Sequence, residues 1–384
     1  MADDAPVSTR TLDIRFVGSG SEYFRIWIVN LLLTIVTLGF YYPFAKVRRL
    51  RYFHGCTEVD GHPLDFHANP WAMLRGYGLV ALLSAVYALA QQFSDTAAGV
   101  ALLLMMAIGP ALWWSSLRFR LANTSWRGVR LRFGGRLADA YRTAAPAYAL
   151  VALFIVAGLV LGDGDTPRRP GVADGLLMLL PLLGALALPW MLWRVRRYQH
   201  DHYAFASEQT RLRVGPAPVA AVFLRASLLG GAVGLAVVVA VGVVVATVGG
   251  SLDPRAALRP GMATLLVGLP LVVVLALQVV ARGYLVARLQ NLFWSSTASA
   301  RVRFDSRLRA RRLIGVTARN WALMIVTLGL YYPFAAVAQA RVRLEAVAIH
   351  TRVDIDALVA RSGGATRDAA GDAAADLLGF DIGL

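Results

Sequence analysis

The chain is poor in several things that ordinary soluble proteins have. Among its 384 residues there is one cysteine, Cys56, so no internal disulfide can brace the fold. There is one lysine, Lys46, and nearly all the positive charge is arginine. Charged residues make up 16% of the chain, against roughly 25% in a typical soluble domain. With 57% of residues hydrophobic, a soluble body of this length would expose too much apolar surface, which excludes a plain cytosolic enzyme. The signatures G-x-S-x-G, Walker A and H-E-x-x-H are missing. Acidic residues are scarce in the apolar stretches, so no carboxylate pair stands out and enzyme activity is not expected. Met1–Arg10 is polar, with Asp3 and Asp4, and lacks the basic-then-apolar order of a cleaved signal peptide. The first apolar helix reads as a retained membrane element.

What is present is apolar sequence and arginine. Mean hydropathy is +0.56 and formal net charge is +16, from 39 basic and 23 acidic residues. Such a chain must keep its charges out of its apolar stretches, the pattern of a multi-pass membrane protein that obeys the positive-inside rule. Crossing the hydrocarbon core takes roughly 20 apolar residues in a helix. Six segments qualify, near 72–93, 97–117, 143–162, 173–193, 219–249 and 261–287.

Two shorter segments repeat each other. Asn30-LLLTIVTLGFYYPFAKVRRLR and Asn320-WALMIVTLGLYYPFAAVAQAR agree at about 14 of 22 positions without a gap, which chance does not give. In each, glycine and proline (Gly39 and Pro43, Gly329 and Pro333) are expected to break the helix. The paired Tyr41, Tyr42 and Tyr331, Tyr332 suit a headgroup boundary. These elements lie near 24–51 and 314–341.

The loops alternate in charge. Those near 118–142, 194–213 and 288–312, with the loop holding Lys46, Arg48, Arg49 and Arg51, are rich in arginine. They are expected in the cytoplasm. The connections near 92–97, 163–172 and 251–260 carry few basic residues or balance them with aspartates. The basic loops also share a strand-like alternation (Glu58-VDGHPLDF, Ser125-WRGVRLRF, Gln209-TRLRV, Ser299-ARVRF) that predicts short hairpins near 9–20, 56–67, 123–134, 207–215 and 297–305. Thr351-RVDID resembles a truncated last copy. Asp60-Gly61 and Arg127-Gly128 fall where hairpin turns would sit. A lone hairpin is marginal in water, so pairing into a small cytoplasmic β-layer is favoured over plain polar loops. If every copy is cytoplasmic, the two short YYPF segments enter and return on one side. The alternative is eight crossings.

Phe16-VGSGSEYF, the Asn30 motif extended to Tyr52 and Phe53, and Glu58-VDGHPLDF resemble the start of the YjgN family, bacterial inner-membrane proteins catalogued as a domain of unknown function. The second YYPF element extends the resemblance over roughly 10–355. The resemblance implies a multi-pass inner-membrane location and supplies no reaction, substrate or catalytic residue.

Few residues invite chemistry. Asn30 and Asn320, polar residues at equivalent positions in apolar surroundings, either line one pathway or hold helices together. The second role is weighted more heavily, although broken helices in corresponding halves do point to transport sites. His200 and His202 form a weak metal candidate, as do His54, Cys56, His62 and His67, but neither spacing fits a standard zinc site, and no cofactor is expected. The arginine-rich face is expected to meet the lipid bilayer and its anionic phospholipids. Nucleic acid is not expected, because no basic soluble module is evident, and no protein partner is indicated.

The sequence therefore predicts an all-α polytopic membrane protein with six to eight transmembrane helices and short repeated β-hairpins between them on the cytoplasmic face. Residues 1–355 form one membrane domain and 356–384 a disordered tail with a short amphipathic helix near 373–380. Two functions stay open: a small-solute transporter or channel, or a non-transporting envelope or lipid-interacting scaffold.

Overall fold

A computed structural model describes residues 10–161, 172–249 and 268–363. The connections read at 163–172 and 251–260 lie largely outside the described residues, as do residues 364–384 with the helix expected near 373–380. The chain alternates helical pairs with short strands. The helices are α1 (Gly20–Val36), α2 (Tyr42–Gly55), α3 (Pro70–Phe93), α4 (Asp95–Ala122), α5 (Leu137–Leu161), α6 (Val172–His200), α7 (Pro216–Gly249), α8 (Leu269–Ser295), α9 (Ala310–Val326), α10 (Tyr332–Leu344) and α11 (Ile355–Gly363). The strands are β1 (Arg10–Phe16), β2 (Thr57–Val59), β3 (His62–Phe66), β4 (Thr124–Trp126), β5 (Val129–Phe133), β6 (Tyr203–Phe205), β7 (Glu208–Gln209), β8 (Arg211–Leu212), β9 (Thr297–Ala298), β10 (Val302–Ser306) and β11 (Val347–Thr351).

The expectation of an all-α fold with short repeated β-hairpins between the helices on the cytoplasmic face is overturned. All eleven strands belong to one antiparallel sheet, ordered β7-β6-β5-β4-β3-β2-β1-β11-β10-β9-β8. Its two edges, β7 and β8, are separated in sequence only by Thr210, so the sheet curls into a nearly closed ring. The joint that closes it is β1 against β11, with Leu12 opposite Ile349. Each strand is too short to stand alone, and all but the edge strands β7 and β8 pair on both sides, which satisfies their backbone.

Local chemistry sets the strand ends. Thr57, Thr124 and Thr297 each donate their hydroxyl to the carbonyl four residues back, at 2.7, 2.8 and 2.6 Å, where a helix gives way to a strand. Asp60-Gly61 and Arg127-Gly128 have positive φ at both positions, as a tight two-residue hairpin requires. The third hairpin spans β6–β7, upstream of the place the alternation suggested, because α6 ends at His200. β1 is a single strand, its partners being β2 and β11.

One face of the sheet is apolar. Leu12, Val59, Trp126 and Ile355 form a core with Ile14, Leu64, Phe205, Ile349 and Val359. Residues on strands as far apart as β6 and β11 join there through α11, so this face is the concave one and α11 occupies the mouth. Arg127, in the β4–β5 turn, pairs with Asp356 of α11, placing that helix at the turn end of the ring, away from the other helices.

The other ten described helices run as five contacting pairs that rise from the opposite end of the sheet. Their extensive contacts run between neighbours only, α1 to α2 and onward to α10, which returns to α1. Ten axes spaced about 8–10 Å apart trace a closed circuit of about 80–100 Å. The wall is uneven. The 17-residue α1 and α9 reach about 25 Å, and α2 and α10, of 14 and 13 residues, about 20 Å. The long helices, of 24 to 34 residues, reach about 36–51 Å. Among the described residues five helical stretches are apolar and long enough to cross a membrane (Pro70–Phe93, Asp95–Ala122, Leu179–His200, Pro216–Ala236, Val272–Ser295), against the six segments expected.

Candidate functional site at the low side of the helix ring

The low side is built by the repeat. α1 and α9 start 290 residues apart, as do α2 and α10, and the two hairpins use the same bonds. The Gly39 amide donates to the Thr34 carbonyl at 2.7 Å, and the Gly329 amide to the Met324 carbonyl at 2.7 Å. Leu38 and Leu328 precede them in the left-handed region, with φ of 50° and 49°. This is a paired-bond helix terminus, and it requires Gly39 at φ 93° and Gly329 at φ 91°. Thr37 and Thr327 then accept from the amides of Tyr41 and Tyr331, both at 3.0 Å. Pro43 and Pro333 sit in the first turn of the returning helix, where proline's missing donor is harmless. The glycines therefore end the first helix and the prolines start the second.

Asn30 and Asn320 bridge the two helices of these hairpins. The Asn30 amide donates to the Ala45 carbonyl at 3.5 Å and the Asn320 amide to the Ala335 carbonyl at 3.3 Å. Both residues are buried, Asn320 completely, and their Oδ1 atoms have no hydrogen-bond partner. Each bond stays within its own hairpin.

The tips are apolar and bare. Leu38 is 91% exposed and Leu328 is 94% exposed, and Val36, Phe40 and Val326 are also exposed. Tyr41 stacks on Phe44 at 5.6 Å and Tyr331 on Phe334 at 5.3 Å. Tyr42 meets Tyr77 of α3 edge-on at 5.2 Å, and Tyr332 contacts Trp27 of α1 at 6.0 Å. The tyrosines thus join the hairpins to each other and to the long wall.

The two short hairpins are adjacent, because the ring closes between them. Arg341 of α10 donates to the carbonyls of Gly18 and Phe16 at 2.7 and 3.3 Å. Phe16, Tyr23 and Val337 form a shared core. Gly20 is needed here, since a Cβ would lie 2.4 Å from Phe334. Ser19 caps α1 by accepting from the Glu22 amide at 3.2 Å, and Tyr52 fixes the turn by accepting from the Ser19 amide at 2.9 Å. Sequence reasoning passed over Tyr52 and Arg341; no local pattern marks either.

The histidines are engaged elsewhere. His200 Nδ1 lies 2.8 Å from Thr297 Oγ1, and His202 Nδ1 lies 2.8 Å from the Tyr198 carbonyl. His54 and His62 contact backbone carbonyls, and His67 contacts the Ser125 hydroxyl. Among the described residues no three His, Cys, Asp or Glu side chains are grouped to hold a metal. Burial pushes the Cys56 thiol up, against the hydrogen bond from Tyr52, which makes it a poor nucleophile.

Outside the wall, the sheet carries the arginines. Arg303 stands opposite His350 in the β10–β11 ladder. A basin of about 610 Å³ there is lined by Arg213, Arg301, Arg303, Arg307, His350 and Arg352, with Asp305 among them. Burial opposes ionisation of Asp305, but hydrogen bonds from Ser295 and Arg307 and the Arg307 charge prevail and hold its carboxyl below the usual range.

Residues 11–377 match the family described as bacterial protein of unknown function, DUF898. The chain belongs to this family. It is 33% identical over 144 residues to the inner membrane protein YjgN of Salmonella typhimurium, covering 37% of this chain and 36% of that protein. It is 45% identical over 51 residues to inner membrane protein YjgN of Escherichia coli K12, covering 13% of each. These matches thus span about a third or less of the curated relatives' length. No solved structure matches the chain. The resemblance to the YjgN family and the inner-membrane location read from the sequence are both borne out, and this DUF898 member is a multi-pass inner-membrane protein.

Proposed function

We propose that the protein is a non-enzymatic conduit for lipid-like amphiphiles, which enter or leave the helix ring over its low side. The observation that carries this reading is the step in the wall. Four short helices stand together, their apolar tips exposed, beside six that are long. If the helices share a base at the sheet, the short hairpins end inside a hydrocarbon core about 30 Å thick. An apolar tip is comfortable there and a polar one is not. Beyond the reach of the short hairpins α3 and α8 continue, with Leu82, Val86, Leu89, Val272, Val274 and Leu275 exposed.

The alternative reading, a small-solute channel lined by Asn30 and Asn320, is weaker on two grounds. Each asparagine faces its own hairpin partner, and the side chains exposed along the upper parts of α3 and α8 are mostly apolar, with Ser84 and Gln278 as exceptions. Such a wall suits acyl chains and repels a hydrated solute. The arginine-rich end would meet anionic phospholipids.

Proteoliposomes carrying a fluorescent phospholipid test the proposal. The wild-type protein is expected to speed movement of the lipid between leaflets. Leu38→Arg with Leu328→Arg places a charge at each tip, at a cost of about 2.5–3.5 kcal/mol each near the bilayer centre, and is expected to stop it. Wild-type vesicles that behave like protein-free ones would refute the proposal. Leakage of a trapped solute without lipid movement would favour the channel.

A further inference from the structure

We infer that the basin on the outer face of β9, β10 and β11 is a binding site for the phosphate of an anionic phospholipid. This rests on the lipid-conduit reading and names the chemistry that recognises the molecule. The argument begins with an imbalance. Arg301 is paired with Glu208 at 3.6 Å and Arg307 with Asp305 at 2.8 Å. No carboxylate within ion-pair distance is found for Arg213, Arg303 or Arg352 among the described residues, although all three line the same basin. Guanidiniums around one basin, in excess over its single lining carboxylate, Asp305, repel one another. A phosphate relieves this, and the guanidinium's planar fork matches its oxygens.

Position identifies the bearer of the phosphate. Arg213 lies three residues before the start of α7 and Arg307 three before the start of α9, so the upper edge of the basin lies where the helices leave the bilayer, at headgroup level. The β9–β10 hairpin is also the link between α8 and α9, the point where the long wall steps down to the short one. A phospholipid with its phosphate in the basin would lay its acyl chains against α8 beyond the reach of α9. A soluble phosphate would gain nothing from this placement.

The test uses the full-length protein in nanodiscs of phosphatidylcholine doped with spin-labelled phosphatidylglycerol or, in parallel, spin-labelled phosphatidylcholine. The immobilised fraction of each label gives their relative affinities. Wild type is expected to prefer phosphatidylglycerol. The variant Arg213→Gln, Arg303→Gln, Arg352→Gln is expected to lose at least about tenfold of that preference. A charge-matched control, Arg132→Gln, Arg136→Gln, Arg142→Gln, on the far side of the ring, is expected to keep it. Thermal unfolding checks that both variants fold. Equal loss in the two variants would overturn the site, since bulk charge would then explain the effect. So would binding of inorganic phosphate, at constant ionic strength, by a protein with no lipid preference. Measuring lipid movement on the same samples separates the two readings. A triple variant that loses preference while even wild type moves no lipid supports the headgroup site and sinks the conduit alone.

Discussion

The short and long hairpins of the ring have the same plan and opposite solutions for their tips. The helices of the long ones run about 36–51 Å, more than a hydrocarbon core about 30 Å thick. The short ones turn after 17 residues and must bury their backbone polarity at the tip. They do so by pairing amides with carbonyls and with threonine hydroxyls, and by presenting Leu38, Phe40, Leu328 and Leu330 outward. Both tips satisfy their backbone in the same way, with the same residues at equivalent positions.

Substitutions break this comparison to different degrees. Gly20→Val should have the largest effect. Its side chain would overlap Phe334 at the seam between the short hairpins, and overpacking of this kind typically destabilises by about 1–3 kcal/mol, seen as a fall in unfolding midpoint in detergent. Gly39→Ala should destabilise by about 1–2 kcal/mol through its left-handed backbone alone, since nothing crowds it. Gly78→Ala in α3, where a Cβ also meets open space, should be neutral or stabilising by up to about 1 kcal/mol. The same change would thus have opposite signs in the two kinds of hairpin, and equal signs would show that the tip conformation is not required.

Asn320→Leu should shift stability by less than about 1 kcal/mol. It removes a long hydrogen bond, of a kind worth about 0.5–1.5 kcal/mol net, but also an orphaned buried oxygen, and the second effect offsets part of the first. Asn320→Ala, which leaves a cavity, should be worse. The smallest effect concerns α11. The hydrogen bond and charge of Arg127 hold the Asp356 carboxyl below its ordinary 3.8. Because the folded-state value is depressed, this contact helps dock α11 above pH 3.8 and is lost as pH falls through the lower folded value. Protease sensitivity near Ile355 should rise only in that acidic range, and Asp356→Asn should remove the pH dependence.

Local chemistry was legible in the sequence and closure was not. The glycine–tyrosine–proline turns, the Asp60-Gly61 and Arg127-Gly128 hairpin turns and the long apolar helices are written in consecutive residues. The all-α reading failed because the strands are 2 to 7 residues long and are outweighed by apolar helix on any window. Pairing of β1 with β11 joins Arg10 to Thr351, and no periodicity reports a contact at that separation. The arginines were read as loop charge marking orientation. Their alternation with Val302 and Phe304 places Arg303 on the outer face of a sheet, and only the ring gathers Arg213 beside Arg352. The asparagines were found by equivalence, yet their partners, Ala45 and Ala335, carry no chemical signal.

Tip depth can be measured directly. In a Cys56→Ser background, Leu38→Cys and Leu328→Cys carry nitroxide labels in reconstituted full-length protein. Collision rates with oxygen and with a water-soluble nickel complex report whether each label lies in hydrocarbon or water. Both tips should be accessible to oxygen, shielded from nickel and unreactive toward a membrane-impermeant maleimide from either side. Strong nickel collision or maleimide labelling at both positions would place the short hairpins outside the bilayer core and remove the low wall.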